Sequence, residues 1–222
     1  MIRRLPYFLI LICFALVFLS PFFIKIKINC KSQFGSCPER VLSRIGVFNG
    51  KNLYIAKRNI GKILSSDFTI SNYSLQFKLP NILETYIVVK KPFAALVDRN
   101  TKIAALVDGD GKILSFGSDS TLPTVTTDLI NQSEGQRVTD RDFFALKIIA
   151  GVFQMYQIRT GEMDSESLVV ELSPQIRVIF PLYGDSDILL GSLRLIYSKI
   201  SEPDNTGKFS EIDLRFKNAV LR

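Results

Sequence analysis

The spacing of apolar positions changes several times along the chain, and each change predicts an element. Residues 5–24, LPYFLILICFALVFLSPFFI, hold 20 positions without a charge. A helix of that length rises about 30 Å, the hydrocarbon thickness of a bilayer. The stretch predicts a retained transmembrane helix. The best cleavage point for a signal peptide, after Ser20, has Phe18 at its −3 position and Pro21 just beyond it; processing needs small residues there. Strict alternation starts at once in IKIKIN, which reads as a strand. In SCPERVLSRIG, Val41, Leu42 and Ile45 share a face, Pro38 suits a first turn and Gly46 an end. GKNLYIAKRNIGKIL predicts a second helix, with Ile60, Ile63 and Leu64 opposite Lys57, Arg58 and Lys62. Alternation returns at Tyr73, Leu75, Phe77 and Leu79, breaks at Pro80-Asn81, and resumes from Ile82 to Val89. Strand, helix, helix, strand, strand is an order that packs two helices on one face of a small sheet.

Pro92 marks a boundary. Beyond it, short strands are expected near 94–97, 102–107 and 112–115, with an Asp-Gly turn at 108–111. TDRDFFALKIIAGVFQMYQIRTG is the clearest helix: Thr139 and Asp142 make a capping pattern, Phe143, Leu146, Ile149, Phe153 and Tyr156 form a stripe, and Gly161 follows. Strands at 167–172 and 175–180 come next, then a helix through Leu193, Ile196, Tyr197 and Ile200, then the loop SEPDNTGK. KFSEIDLRFKNAVLR reads as one strand, with Ile212, Leu214 and Phe216 on one face and Glu211, Asp213, Arg215 and Lys217 on the other.

Charge divides the chain in the same place. Residues 1–93 carry 14 Lys/Arg against 3 Asp/Glu, and residues 94–222 carry 14 against 18. The basic part is read as facing anionic lipid or an acidic partner rather than nucleic acid, since it follows the membrane segment. The positive-inside count leaves orientation open, because Arg3 and Arg4 precede the apolar stretch while Lys25, Lys27 and Lys31 follow it. Cys30 and Cys37 either close a small disulfide loop in an oxidising compartment or stay free thiols; their spacing is not that of a zinc site.

The 222-residue chain has no histidine. That excludes Ser-His-Asp triads, Cys-His pairs and imidazole bases together. No S-x-x-K, G-x-S-x-G or phosphate-binding glycine loop occurs. Asp108 and Asp110 in VDGDGKI are the sharpest carboxylate pair, and the rival to a turn is a membrane-anchored hydrolase built on them. Lys112 occupies what would be the third ligand position of a calcium loop, which favours the turn. Enzymes that use only carboxylates remain possible on these residues, and no cofactor or metal is expected.

GKNLY at 50–54, LP followed by ETYIVVKKPFA up to Ala94, LVDGDGKIL at 106–114, LPTV at 122–125 and EIDLRFKNAVLR at 211–222 occur in an order that resembles the FtsQ/DivIB family of bacterial cell-division proteins. Two departures are Lys90-Lys91, where the family has an acidic residue, and Ser192-Leu193 in place of a Lys-Leu helix start. The resemblance implies an α+β fold: a cytoplasmic N-terminus at 1–4, a transmembrane helix at 5–24, a POTRA domain (β-α-α-β-β) at 25–92, and a mostly antiparallel β domain with flanking helices at 93–222. It implies a non-enzymatic divisome scaffold in the cytoplasmic membrane at the division septum, with its bulk outside, regulating septal peptidoglycan synthesis. The partners implied are FtsB/DivIC-like and FtsL-like coiled-coil proteins, with other divisome components meeting the POTRA domain. The alternative is a POTRA-type adaptor of a secretion or envelope-assembly system.

Partner binding is assigned to Arg215, Phe216, Lys217, Asn218, Ala219, Val220 and Leu221, as a strand edge that a partner extends by backbone pairing. Val220→Pro is the expected disrupting substitution, because it removes one N–H. For the basic part, residues 25–93 hold 12 Lys/Arg and 3 acidic residues. Binding to anionic vesicles or an acidic partner should weaken steeply with salt, since screening acts over roughly 8 Å at physiological ionic strength. Salt-insensitive binding in a sedimentation assay would refute this electrostatic account.

Overall fold

The computed structural model describes residues 24–118, 120–128, 130–172, 176–202 and 209–222. They fall into two units that divide between Lys90 and Lys91. The first contains β1 (Lys27–Ser32), β2 (Gly35–Ser36), α1 (Glu39–Gly46), α2 (Leu53–Ser66), β3 (Ile70–Lys78) and β4 (Ile82–Val89). Its sheet runs β2-β1-β4-β3, with β1 parallel to β4 and the other pairs antiparallel. Val41 and Ile45 of α1, and Ala56, Ile60 and Leu64 of α2, are buried with Leu83 and Ile87 of β4. Two local devices fix these helices. Asn52 caps α2 by accepting the Ile55 N–H at 2.8 Å. Asp67, with a side chain 1% exposed, ends it; its carboxylate accepts from Arg44 at 2.9 Å and from the Thr69 hydroxyl at 2.7 Å. A disulfide joins Cys30 to Cys37, with Cα atoms 5.6 Å apart, and ties β1 to the start of α1.

The second unit contains β5 (Pro92–Asp98), β6 (Ala104–Asp108), β7 (Ile113–Gly117), β8 (Thr124–Thr127), α3 (Asp140–Tyr156), β9 (Thr160–Met163), β10 (Ser167–Leu172), β11 (Ile176–Pro181), α4 (Ser186–Ile200), β12 (Glu211–Asp213) and β13 (Val220–Leu221). One sheet holds all nine strands in the order β13-β12-β11-β10-β9-β8-β5-β6-β7. The pairs β5/β8, β8/β9 and β11/β12 are parallel and the rest antiparallel. Helix α3 crosses the sheet, and α4 packs on α3. Thr139 caps α3 by accepting the Asp142 N–H while its hydroxyl donates to the Asp142 carboxylate.

Four expectations require correction. The first concerns the fold class: among the described residues no helix is long and apolar enough to cross a membrane. The expected transmembrane helix falls almost wholly on residues 1–23, which lie outside the described ones, so the observed fold is α+β with four described helices and no membrane-spanning element among them. The second is the last strand. Residues 211–221 form the hairpin β12–β13, with Ile212 opposite Leu221 and Asp213 opposite Val220. The alternation fails already at Asp213, since Ile212, Asp213 and Leu214 are all buried; beyond them the polar residues Arg215, Lys217 and Asn218 lie exposed in the turn.

The third correction is the end of α3. The helix stops at Tyr156, and Gln157 takes the left-handed cap at φ 60°. Gly161 lies instead in β9, where a Cβ would come within 3.1 Å of Leu168 and 3.3 Å of Val170. The fourth is the α3 stripe, whose fully buried residues are Ala145, Leu146, Ile148, Ile149 and Val152, with Phe143 and Phe153 only half-buried. A helix covered by a sheet on one side and a helix on another buries a broader arc than a single stripe. Strands β8 and β9 had no counterpart among the expected strands; each has only four residues.

Leu146→Ala should destabilise the second unit by about 2–5 kcal/mol through the cavity it leaves. Asp67→Ala should cost the first unit about 1–3 kcal/mol by removing the buried acceptor of Arg44 and Thr69. Denaturant unfolding of each variant checks both figures.

Candidate partner-docking edge

β12 joins the sheet through parallel pairing with β11, where Arg177, Val178 and Ile179 lie beside Glu211, Ile212 and Asp213. The Leu214 N–H donates to the Ile179 carbonyl at 2.8 Å and ends that ladder. A buried ion pair then turns the chain. The Asp213 side chain is 0% exposed; Oδ1 accepts the Arg215 backbone N–H at 3.1 Å and Nε–H at 3.0 Å, and Oδ2 accepts from the guanidinium at 2.8 Å. This two-point contact holds the Asp213 carboxyl below its usual range, with the Arg215 side-chain bond the largest cause.

The chain returns as β13. Arg222 and Glu211 exchange backbone bonds, each at 3.0 Å, and the Arg222 guanidinium also meets the Glu211 carboxylate at 3.1 Å. In an antiparallel ladder bonded and non-bonded pairs alternate. With 211 and 222 bonded, Asp213 and Val220 are the next bonded pair, and Leu221 lies in the non-bonded position between them. The N–H and C=O of Leu221 therefore point away from β12, to the outer side of the sheet. Among the described residues no strand pairs with that side. At the opposite edge of the same sheet the start of β7 is met: Ile113 donates to the Gln136 carbonyl at 2.9 Å and accepts from Gly135 at 2.8 Å, so segment 135–137 covers the first residue of that strand.

The seven residues assigned from the sequence thus separate into two places. Ala219, Val220 and Leu221 form the edge, with Ala219 packed on the core and Leu221 37% exposed. Arg215, Phe216, Lys217 and Asn218 form the exposed turn beside it, where the Arg215 guanidinium lies 5.9 Å from the centre of the Phe216 ring and Phe216 is 54% exposed. The sequence reading missed a cleft of about 470 Å³ beside Arg215, lined also by Arg141, Glu166, Leu182 and Tyr183. Arg141 is fixed there by donating to the Asp164 and Ser165 carbonyls at 3.2 and 2.8 Å. Tyr183 is 75% exposed. One signal for it was present: an aromatic beside Gly184 and Asp185, in the turn that starts a helix.

The rival carboxylates behave as turn residues. Asp108 Oδ1 accepts the N–H groups of Asp110 and Lys112 at 2.9 and 2.8 Å, and Gly111 takes the φ of +81° that the turn requires. No group of three or more His, Cys, Asp or Glu side chains gathers as a metal site among the described residues. No family model matches the chain, and a search of curated proteins finds no match.

The depressed Asp213 carboxyl fixes a sign for pH. Its contribution to stability is complete above the unfolded value of about 3.9 and is lost as pH falls through the lower folded value. Acid unfolding of Asp213→Asn should lose that component, and its neutral-pH stability should fall, because Arg215 keeps only a neutral acceptor. Superimposable acid titrations of Asp213→Asn and the parent chain would remove the ion pair from this account.

Proposed function

We propose that this chain is a non-enzymatic scaffold of the bacterial division apparatus, and that it holds a partner by adding the partner's strand to the outer side of β13. The observation that carries the reading is the outward N–H and C=O of Leu221, on the sheet edge that no described segment covers. An added strand would find backbone partners there with little demand on its sequence. Its flanking side chains would reach Phe216 and the Tyr183 cleft, where aromatic anchors give selectivity. The motifs shared with the FtsQ/DivIB family support the identity of the partners as FtsB/DivIC-like and FtsL-like coiled-coil proteins. The Cys30–Cys37 disulfide supports work on the extracytoplasmic side, at the cell membrane and septum, where such bonds persist.

The register changes which substitution tests the idea. The Val220 N–H is used within the hairpin, so Val220→Pro would damage the fold and the docking edge together. Leu221→Pro removes an outward donor and leaves both bonded pairs of the hairpin in place. It should weaken partner capture by about tenfold, the loss of roughly one hydrogen bond with its steric cost, while leaving the unfolding midpoint nearly unchanged. A photo-crosslinker at Leu221 in the full-length chain, in its own membranes, should capture small coiled-coil proteins. Undiminished capture by a folded Leu221→Pro chain would sink the strand-addition mechanism. Crosslinks to unrelated proteins alone would sink the division assignment.

A further inference from the structure

One end of the first unit combines exposed apolar side chains with unpaired positive charge. Three segments meet around residues 24–27. The Leu53 N–H donates to the Ile24 carbonyl at 3.2 Å, the Ile26 N–H to Lys51 at 3.1 Å, and the Lys27 N–H to Asn81 at 2.8 Å. The first turn of α2, the α1–α2 loop and the β3–β4 turn are thereby gathered at this end. From them project Val47, 69% exposed, Tyr54, 53% exposed, and Leu79, 84% exposed. Lys25, Lys27 and Lys51 lie exposed among them, and none makes an ion pair with a described residue. A cleft of about 680 Å³ opens between Lys25, Lys27, Asn49 and Asn81. The unit has only three acidic residues, and two are engaged: Asp67 by Arg44, and Glu84 by Lys31 and Lys78.

We propose that this end of the unit rests on an anionic lipid surface, with Val47, Tyr54 and Leu79 entering the headgroup layer and Lys25, Lys27 and Lys51 holding lipid phosphates. Two observations name a bilayer as the occupant. The charge is complementary: lysines beside a membrane attract anionic headgroups, and their long stems let the ammonium stay in water while the aliphatic part is buried. The second is the chain itself, because Ile24, the last residue of the uncharged sequence 5–24, is held at this same end. A tyrosine flanked by aliphatic residues and lysines is a composition suited to the interface between water and lipid. This surface is separate from the β13 edge, and its test does not depend on any partner protein.

The chain contains no tryptophan, so Tyr54→Trp supplies a single indole reporter in the full-length protein. Phe34→Trp is the control: Phe34 is 67% exposed at the far end of β1, where Ser32 pairs with Gly35. Each variant is reconstituted in phosphatidylcholine vesicles, with or without phosphatidylglycerol, carrying brominated acyl chains. With phosphatidylglycerol, the emission of Tyr54→Trp should shift to the blue and be quenched by bromine, while that of Phe34→Trp should stay red and unquenched. Replacing Lys25, Lys27 and Lys51 together by Gln, or raising the salt, should reverse both effects at Tyr54→Trp. Absence of quenching in the anionic vesicles overturns the proposal. Equal quenching with and without phosphatidylglycerol overturns the role of the lysines. A blue shift in detergent, before any vesicle is present, assigns the patch to residues 1–23 or to another copy of the chain and overturns the lipid assignment.

Discussion

An open sheet must dispose of the hydrogen-bonding groups along its two edges, because an unpaired strand is a template for another strand. The second unit answers this constraint differently on its two sides. Along β7, Gly135 and Gln136 supply backbone partners to Ile113, so the crossing segment covers the first residue of that edge. Along β13 the described chain supplies none, and the edge is only two residues long. A short edge limits indiscriminate pairing and still offers one outward donor and acceptor at Leu221. The location of this edge depends on Asp213. Its buried carboxylate has no stable state except in company, and it finds that company two residues on, in Arg215. The bidentate contact forces the turn, and the turn makes the hairpin.

The helices reinforce this asymmetry. Both lie on one face of the nine-stranded sheet, and α3 is buried so broadly because α4 closes over it. Gly151 marks the contact: a Cβ there would run into the Leu190 methyl groups. Tyr156 and Tyr197 complete it with an edge-on contact of 5.0 Å between ring centres. The layered core leaves function to the margins of the unit. The open concavity around Arg99, Glu162, Glu171 and Arg177, about 710 Å³, carries both signs of charge beside Met163 and Val169. The edge, the exposed turn and the Tyr183 cleft are contiguous, and together they offer backbone pairing, an aromatic surface and a place for a side chain.

In the first unit the constraint is charge. With 11 basic residues between positions 25 and 90 to place on 3 acidic ones, most lysines remain solvated whatever the fold does. The fold decides only where they gather. Glu84 takes two of them on the sheet and Asp67 takes Arg44 at the end of α2, so the surplus at Lys25, Lys27 and Lys51 is left at the end where Ile24 is held.

The sequence determined what rests on short-range chemistry. The strand–helix–helix–strand–strand order of the first unit was legible because each element has its own period and its own punctuation, Pro38 and Gly46 around α1 and Pro80-Asn81 between the last two strands; in the second unit Thr139 as a cap and Asp108-Gly109 as a turn were legible the same way. So was strand 167–172, whose apolar run is bounded by polar residues. The tertiary structure decided what needs a distant partner. Strands β8 and β9 have four residues each; they pair with one another, and each becomes a strand because a longer one, β5 or β10, offers a ladder on its other side. The β2 pair and the 4-stranded order arise the same way, with the disulfide holding the loop that carries them. The last fifteen residues show the division most plainly. Their alternation from Glu211 to Lys217 is that of a strand, yet a buried carboxylate outweighs alternation, and Asp213 is buried only because β11 lies beside it. Periodicity reports which side chains share a face; it carries no information about which backbone edge is left open, because that depends on every other strand in the sheet.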